Sequence, residues 1–155
     1  MKKILLLKFV YPGVGTVAAM LLFCLPALAV LGGDQVSIRN DEAKMRASTR
    51  VVAVKGYNVH EIQIPSGTTV REFVSPAGKV FGVTWHGPLL PDLRQLLGDN
   101  FSKLEAAQRN RRGHGPLVIN EPGFVYVSSG HMRAFTGRAY IPQLVPQGVL
   151  TDAIQ

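Results

Sequence analysis

Short apolar runs separated by turn residues fill the chain between residues 57 and 88, and this pattern predicts three antiparallel strands. The predicted strands cover residues 57–64, 68–74 and 79–86. The two predicted turns have the sequences Pro65-Ser66-Gly67 and Ser75-Pro76-Ala77-Gly78. Proline presets φ for a turn and glycine accepts a positive φ, so both sequences favour a tight reversal of the chain.

One face of the third predicted strand has large apolar side chains. Phe81, Val83 and Trp85 occupy alternate positions. Alternate side chains of a strand point to the same face of a sheet. We therefore expect these three side chains to be buried together.

A helix is predicted next, from Asp92 to Gln108, because apolar residues recur there at helical spacing. The apolar stripe consists of Leu93, Leu96, Leu97, Phe101 and Leu104. We expect this stripe to cover the three strands and to bury Trp85. Gly98 lies within the helix and costs up to about 1 kcal/mol relative to alanine.

Further strands are predicted over residues 116–120, 123–128 and 131–141. Residues 34–47 have a weak helical pattern, and Val51-Val52-Ala53-Val54 either begins a strand or finishes that helix. The predicted fold class is α+β. It consists of a single antiparallel sheet, with a meander of three strands and then two or three more, packed against one amphipathic helix.

The N-terminal segment is apolar and has the features of an export signal. Lys2, Lys3 and Lys8 precede a stretch without charge that lasts until Asp34, and Ala27-Leu28-Ala29 provides a small-x-small cleavage pattern. We predict a signal peptide over residues 1–29 and one small exported domain over residues 30–155, in the periplasm or secreted. The alternative is a retained inner-membrane anchor, because the apolar stretch approaches the ~18–20 residues that span a bilayer.

The composition narrows the chemistry of the exported domain. Cys24 is the only cysteine in the chain, so the domain after residue 29 would have no disulfide and no thiolate for a metal. Removing the three signal lysines lowers the formal charge from +7 to +4, because all ten acids lie after residue 29. This mildly basic domain can contact anionic surfaces. We predict no cofactor.

No motif predicts catalysis or a metal site. The four histidines, His60, His86, His114 and His131, have no metal-ligand spacing, and His60-Glu61 lacks the second histidine of the H-E-x-x-H motif. Ser128-Ser129-Gly130-His131 does not form the G-x-S-x-G elbow of a serine hydrolase. We therefore assign no catalytic and no metal-binding residue.

The densest positive charge lies in the predicted loop after the helix. Candidate binding residues are Arg109, Arg111 and Arg112 in this loop, together with His131 and Arg133. Their predicted partner is an unknown envelope protein or an anionic surface, such as lipid headgroups. Nucleic acid is not expected for an exported protein. The alternative is a solvated helix end, where arginines also interact favourably with the helix dipole.

Two stretches of sequence resemble a known family. They are V-H-E-I-Q-I-P-S-G-T-T-V-R-E-F-V-S-P-A-G-K-V-F-G-V-T-W-H-G-P with L-L-P-D-L-R-Q after it, and His131-Met132-Arg133-Ala134-Phe135-Thr136-Gly137-Arg138-Ala139-Tyr140. With the Leu31-Gly32-Gly33 lead, they resemble a bacterial family of exported proteins, the domain of unknown function DUF2844. This resemblance implies an exported domain and no particular activity. The rhythm of the hairpins is also loosely similar to PepSY-type exported modules, which bind or inhibit partner proteins.

Two functions are consistent with the sequence. The first is a non-enzymatic binding or accessory module of the cell envelope, in contact with the membrane only transiently through its signal peptide. The alternative is a small periplasmic hydrolase in which His86 or His131 meets an acid through space.

Overall fold

The computed structural model describes residues 31–34 and 48–155. Within these residues, seven strands form one antiparallel sheet in the order β1-β2-β3-β4-β7-β6-β5. The strands are β1 Ser48–Val54, β2 Tyr57–Gln63, β3 Thr69–Val74, β4 Val80–Gly87, β5 Leu117–Glu121, β6 Phe124–His131 and β7 Ala134–Tyr140. Two meanders, β1 to β4 and β5 to β7, therefore meet where β4 pairs with β7.

The predicted turns close the second and third hairpins. Gly67 donates its backbone N–H to Ile64 at 2.9 Å, and Gly78 donates to Ser75 at the same distance. Both glycines have a positive φ, 87° and 76°. A type I turn followed by a left-handed residue joins antiparallel strands in this way, so the glycines are required by the backbone.

The described residues before β2 add one strand to the sheet and a short segment that is hydrogen-bonded to β4. Residues 51–54 lie within β1, which lengthens the first meander to four strands. Leu31 donates its N–H to Leu96 O at 3.0 Å, and Gly32 donates to Val80 O at 2.8 Å. The helix predicted over residues 34–47 falls on residues outside the described ones, apart from Asp34, which forms a β-bridge with Lys79.

The predicted helix is present and contains a 3₁₀ turn. Helix α1 covers Leu93–Leu97, a 3₁₀ turn covers Gly98–Asn100, and helix α2 covers Phe101–Arg109. Asp92 caps α1 through its side chain, which accepts a hydrogen bond from Gln95 N at 3.1 Å. The predicted helix is therefore present as one helical segment from Leu93 to Arg109, with a tighter 3₁₀ turn in its middle that begins at Gly98, where φ is 52°.

The main core lies between the two helices and one face of the sheet, which we call the helical face. Leu96, Leu97 and Leu104 are fully buried there, and Trp85 is only 2% exposed. The predicted burial of Trp85 beneath the leucine stripe is confirmed. The central sheet residues of this core are Ile62, Val70, Val83, Trp85, Tyr126 and Ala139.

Phe81 belongs to a different core, and its predicted place beside Val83 and Trp85 was wrong. The pairing of β3 with β4 shifts at this point, because Val74 lies opposite Val80 while Phe73 lies opposite Gly82. The extra residue in β4 is a β-bulge, which changes the alternation of side chains. Phe81 therefore lies on the opposite face of the sheet.

That opposite face, which we call the tail face, is covered in part by the C-terminal segment. The segment contains two 3₁₀ turns, Pro142–Leu144 and Thr151–Ala153. Ile154 is fully buried against Phe73 and Phe81. The segment ends over β3, where Gln155 O accepts a hydrogen bond from Arg71 at 3.3 Å.

Candidate functional site

Two cavities open at the end of the sheet where β4 finishes and β7 begins. One lies on the tail face, has a volume of about 380 Å³ and is called the tail-face cleft. The other lies between the helical face and the loop after α2, has a volume of about 600 Å³ and is called the helical-face cavity. Both are lined by His86, Ser128, Ser129 and Thr136, so they adjoin at this end of the sheet.

Strand register places the polar side chains of the tail-face cleft. Arg71 on β3 lies opposite Thr84 on β4, and Thr84 lies opposite Arg138 on β7. Residues directly opposite each other in an antiparallel sheet project to the same face. Two arginines therefore flank one threonine on the floor of the cleft, and Thr84 is 6% exposed.

The two arginines of the cleft have different surroundings. Arg71 Nε donates to Glu61 Oε2 at 2.9 Å, so a carboxylate balances part of its charge. Arg138 is half-buried. No ion pair or side-chain hydrogen bond connects Arg138 to another residue within the described part of the chain. Its guanidinium is therefore available to an external acceptor.

The helical-face cavity combines apolar walls with cationic and hydroxyl groups. Leu93 and Phe135 contribute apolar surface, and Arg111 contributes a guanidinium. Tyr126 lies at the inner wall. Burial raises the pKa of Tyr126, while a hydrogen bond with Ser128 and the positive charge of Arg111 act in the opposite direction. The phenol therefore stays neutral and can donate or accept a hydrogen bond.

The charged side chains that line the two cavities are those of Arg71, Arg111 and Arg138, and the lining also includes His86, His114 and His131. Among the described residues, no aspartate or glutamate lines either cavity. The charged side chains of this lining are therefore positive. A concave surface with charges of one sign concentrates the field and raises the local concentration of counter-ions.

A family model described as protein of unknown function (DUF2844) matches residues 27–154. The chain belongs to this family. Comparison of this chain with curated proteins and with solved structures found no match. The description of DUF2844 names no activity, and the likeness to PepSY-type modules stays a prediction.

The DUF2844 structure separates the five candidate binding residues of the sequence prediction. Arg111 and His131 line the helical-face cavity. Arg109, Arg112 and Arg133 are exposed and line neither cavity. Arg133 lies in the turn between β6 and β7 with φ 66°, an unusual conformation for a residue with a side chain.

The histidines considered for hydrolysis, His86 and His131, both line the helical-face cavity of this DUF2844 protein. No carboxylate lies with them in its lining, as described above. Within residues 31–34 and 48–155, histidines and acids form no group of three or more that could hold a metal ion. Across the same residues, no helix has the length and apolar character needed to cross a membrane.

Sequence reasoning missed Arg71, Thr84 and Arg138. The predicted strands contained all three residues. What the pattern lacked was the pairing of β4 with β7, which are separated along the chain by the helices, β5 and β6. Periodicity describes one strand at a time, so it gave no signal for side chains brought together by this pairing.

Proposed function

We propose that this DUF2844 protein is a non-enzymatic binding module of the cell envelope that captures an anionic ligand at the cationic end of its sheet. The supporting observation is the lining of the two adjoining cavities, where three arginines and three histidines occur without an aspartate or glutamate among the described residues. An arginine fork binds carboxylate and phosphate oxygens with two parallel hydrogen bonds.

Arg138 favours this function over a purely structural role for the cationic residues. Arg138 is a half-buried residue, and its positive charge has no compensating charge within the described residues. An anion about 4 Å away would supply about 4 kcal/mol of Coulomb attraction at an effective dielectric constant of about 20. Ligand binding would thus offset the unfavourable placement of Arg138.

The proposed location is the periplasm or the extracellular space. It rests on the basic start, the uncharged stretch and the Ala27-Leu28-Ala29 pattern. In that compartment the anionic ligand is an envelope component or an acidic patch on an envelope protein. Nucleic acid is not part of the proposal.

A charge-matched pair of variants tests the function. In the cavity variant, Arg71, Arg111 and Arg138 are replaced by glutamine. In the outer variant, Arg109, Arg112 and Arg133 are replaced instead, which removes the same charge outside the cavities. Binding to immobilised polyglutamate and to phosphatidylglycerol vesicles is measured at low and high salt. We expect binding by the parent that weakens with salt, at least a tenfold loss in the cavity variant, and less than about a twofold change in the outer variant.

Three results would contradict the proposal. Equal losses in both variants would mean that net charge alone attracts the anion. A larger loss in the outer variant would assign binding to the loop and turn arginines of the sequence prediction. Absence of binding by the folded parent to both probes would reject an anionic ligand. Circular dichroism of each variant provides the control for folding.

A further inference from the structure

We infer that the tail-face cleft holds a phosphate group, clamped between Arg71 and Arg138 above the hydroxyl of Thr84. This inference rests on the proposed function and narrows its ligand to a phosphate ester. It concerns the tail-face cleft alone and assigns a position to the anion within it.

Strand spacing brings the two guanidiniums within reach of one anion. Arg71 and Arg138 lie on the two strands that neighbour β4, each directly opposite Thr84. Neighbouring strands are about 4.8 Å apart, so the two arginine backbones are about 10 Å apart. Both side chains line the cleft; Glu61 on β2 holds the Arg71 guanidinium at the outer side, while Arg138 is long enough to lean inward over the smaller threonine. The pair therefore forms a clamp with Thr84 as its floor.

The hydrogen-bond donors approach the clamp from several directions. Arg71 uses Nε for Glu61 and Nη1 for Gln155, which leaves Nη2 for a ligand. Arg138 has its whole fork available from the opposite side, as its lack of a described partner indicates. The hydroxyl of Thr84 adds a donor from below.

This arrangement suits a tetrahedral oxyanion better than a carboxylate. The two oxygens of a carboxylate lie in one plane and are satisfied by a single arginine fork. Phosphate presents at least three oxygens in different directions, and donors on opposite sides and on the floor can each reach one of them. The acceptor sites of a carboxylate lie in its plane, so it cannot accept well from both sides of the cleft and from the floor at once.

The cleft has room for more than an inorganic ion. Its volume of about 380 Å³ lies within the range of small-molecule sites, about 300–1,000 Å³. Val127 contributes an apolar wall, and the shared residues His86, Ser129 and Thr136 lead towards the helical-face cavity. An organic group attached to the phosphate would extend in that direction. The ligand class is therefore a phosphate ester, either a free metabolite or a lipid headgroup.

Nuclear magnetic resonance titration of the purified protein tests this inference. The probes are inorganic phosphate, glycerol 3-phosphate and acetate, and the signals followed are the backbone amides of Thr84 and Arg138 and the side-chain Nε–H of Arg138. We expect glycerol 3-phosphate to shift these signals with at least tenfold higher affinity than acetate. Vesicles of phosphatidylglycerol and of phosphatidylcholine distinguish a lipid headgroup from a free ester.

Two variants and one control locate the phosphate. Arg138→Gln should weaken glycerol 3-phosphate binding at least tenfold, and Thr84→Val, which removes only the hydroxyl while keeping a similar shape, should weaken it about threefold. Arg133→Gln removes one charge outside the cleft and should change affinity less than twofold. If Arg138→Gln does not fold, Thr84→Val still tests the clamp.

The outcomes separate this inference from the proposed function. The phosphate inference is overturned if acetate binds as tightly as the phosphates. It is also overturned if polyglutamate binding requires the cavity arginines while no phosphate probe shifts the cleft signals. In both cases the anion-binding function stands. If Thr84→Val and Arg138→Gln both bind glycerol 3-phosphate like the parent, the clamp is in the wrong place. If neither polyglutamate nor any phosphate binds, both proposals fail.

Discussion

At the scale of single residues, the packing of Trp85 explains why residue 137 is glycine. Trp85 on β4 lies directly opposite Gly137 on β7. A Cβ at position 137 would lie 2.2 Å from Cζ2 of the Trp85 ring. The φ of Gly137 is not positive, so the glycine is needed for space. Its importance could not be predicted from the sequence, because the strand pairing that creates the contact is non-local.

Gly137→Ala should therefore destabilise the protein by more than an ordinary glycine replacement. Inserting a methyl group into a filled core typically costs about 1–3 kcal/mol, and we expect the upper end because the contact falls on a ring that is only 2% exposed. Urea unfolding followed by the fluorescence of the single tryptophan measures the change.

The matched control is Gly115→Ala, where an added Cβ would meet nothing within 4 Å. It should unfold within about 0.5 kcal/mol of the parent, as exposed substitutions usually do. Similar unfolding of the two variants would show that the ring of Trp85 does not lie against residue 137.

At the scale of elements, the hairpins could be predicted from the sequence better than the packing of each element against the others. The three strands of the first predicted meander, their two turns and the leucine stripe follow from residues close together in the chain. The bulge that moves Phe81 to the tail face was not predictable, because alternation continues through positions 81, 83 and 85 without a visible change. The 3₁₀ turn at Gly98 had a local signal, but glycine is tolerated in many helices.

The C-terminal segment is the element with the least signal in the sequence, yet it closes a core. Ile154 is fully buried on the tail face, and a Cβ on Gly82 would lie 3.1 Å from its Cγ2. Gly82 lies next to the bulge, and because it has no side chain it leaves space for Ile154 to pack. The tail, the bulge and Phe81 thus form one packing unit beside the cleft.

Ile154→Ala should destabilise the protein by about 2–5 kcal/mol, the usual cost of removing a buried aliphatic side chain. Leu150→Ala is the control, because Leu150 is 74% exposed in the same segment. Thermal unfolding of both variants measures the difference. If the two variants melt together, the tail does not close a core, and Gln155 would not be fixed beside Arg71.

At the scale of the whole molecule, the candidate site lies at the junction of two meanders. Arg71 and Thr84 come from the first meander, and Arg138 comes from the second. Length, composition and local pattern predicted the fold class, because these properties are summed along the chain, whereas the family resemblance rested on particular stretches of sequence. The arrangement of the three residues depends on how the meanders join. The site therefore could not be predicted from either half of the sequence.

The position of Leu31 adds a structural constraint to the proposed export signal. Leu31 is 3% exposed and donates a hydrogen bond to Leu96 O at 3.0 Å. Cleavage after Ala29 would leave this residue in the exported chain, directly after Val30. Cleavage two or more residues later would remove a core side chain and a backbone hydrogen bond. The fold and the small-x-small pattern are thus compatible with the same cleavage position.

We expect the protein isolated from the periplasm or medium of an exporting bacterium to have the intact mass of a chain that starts at Val30. Ala29→Arg should block processing, because signal peptidase requires a small residue before the cleaved bond. Leu28→Phe alters the permissive middle position of the same pattern and should be processed like the parent. Full-length parent protein in the membrane fraction would show a retained anchor. A mature chain that starts after Leu31 would show that the buried leucine is dispensable for the exported fold.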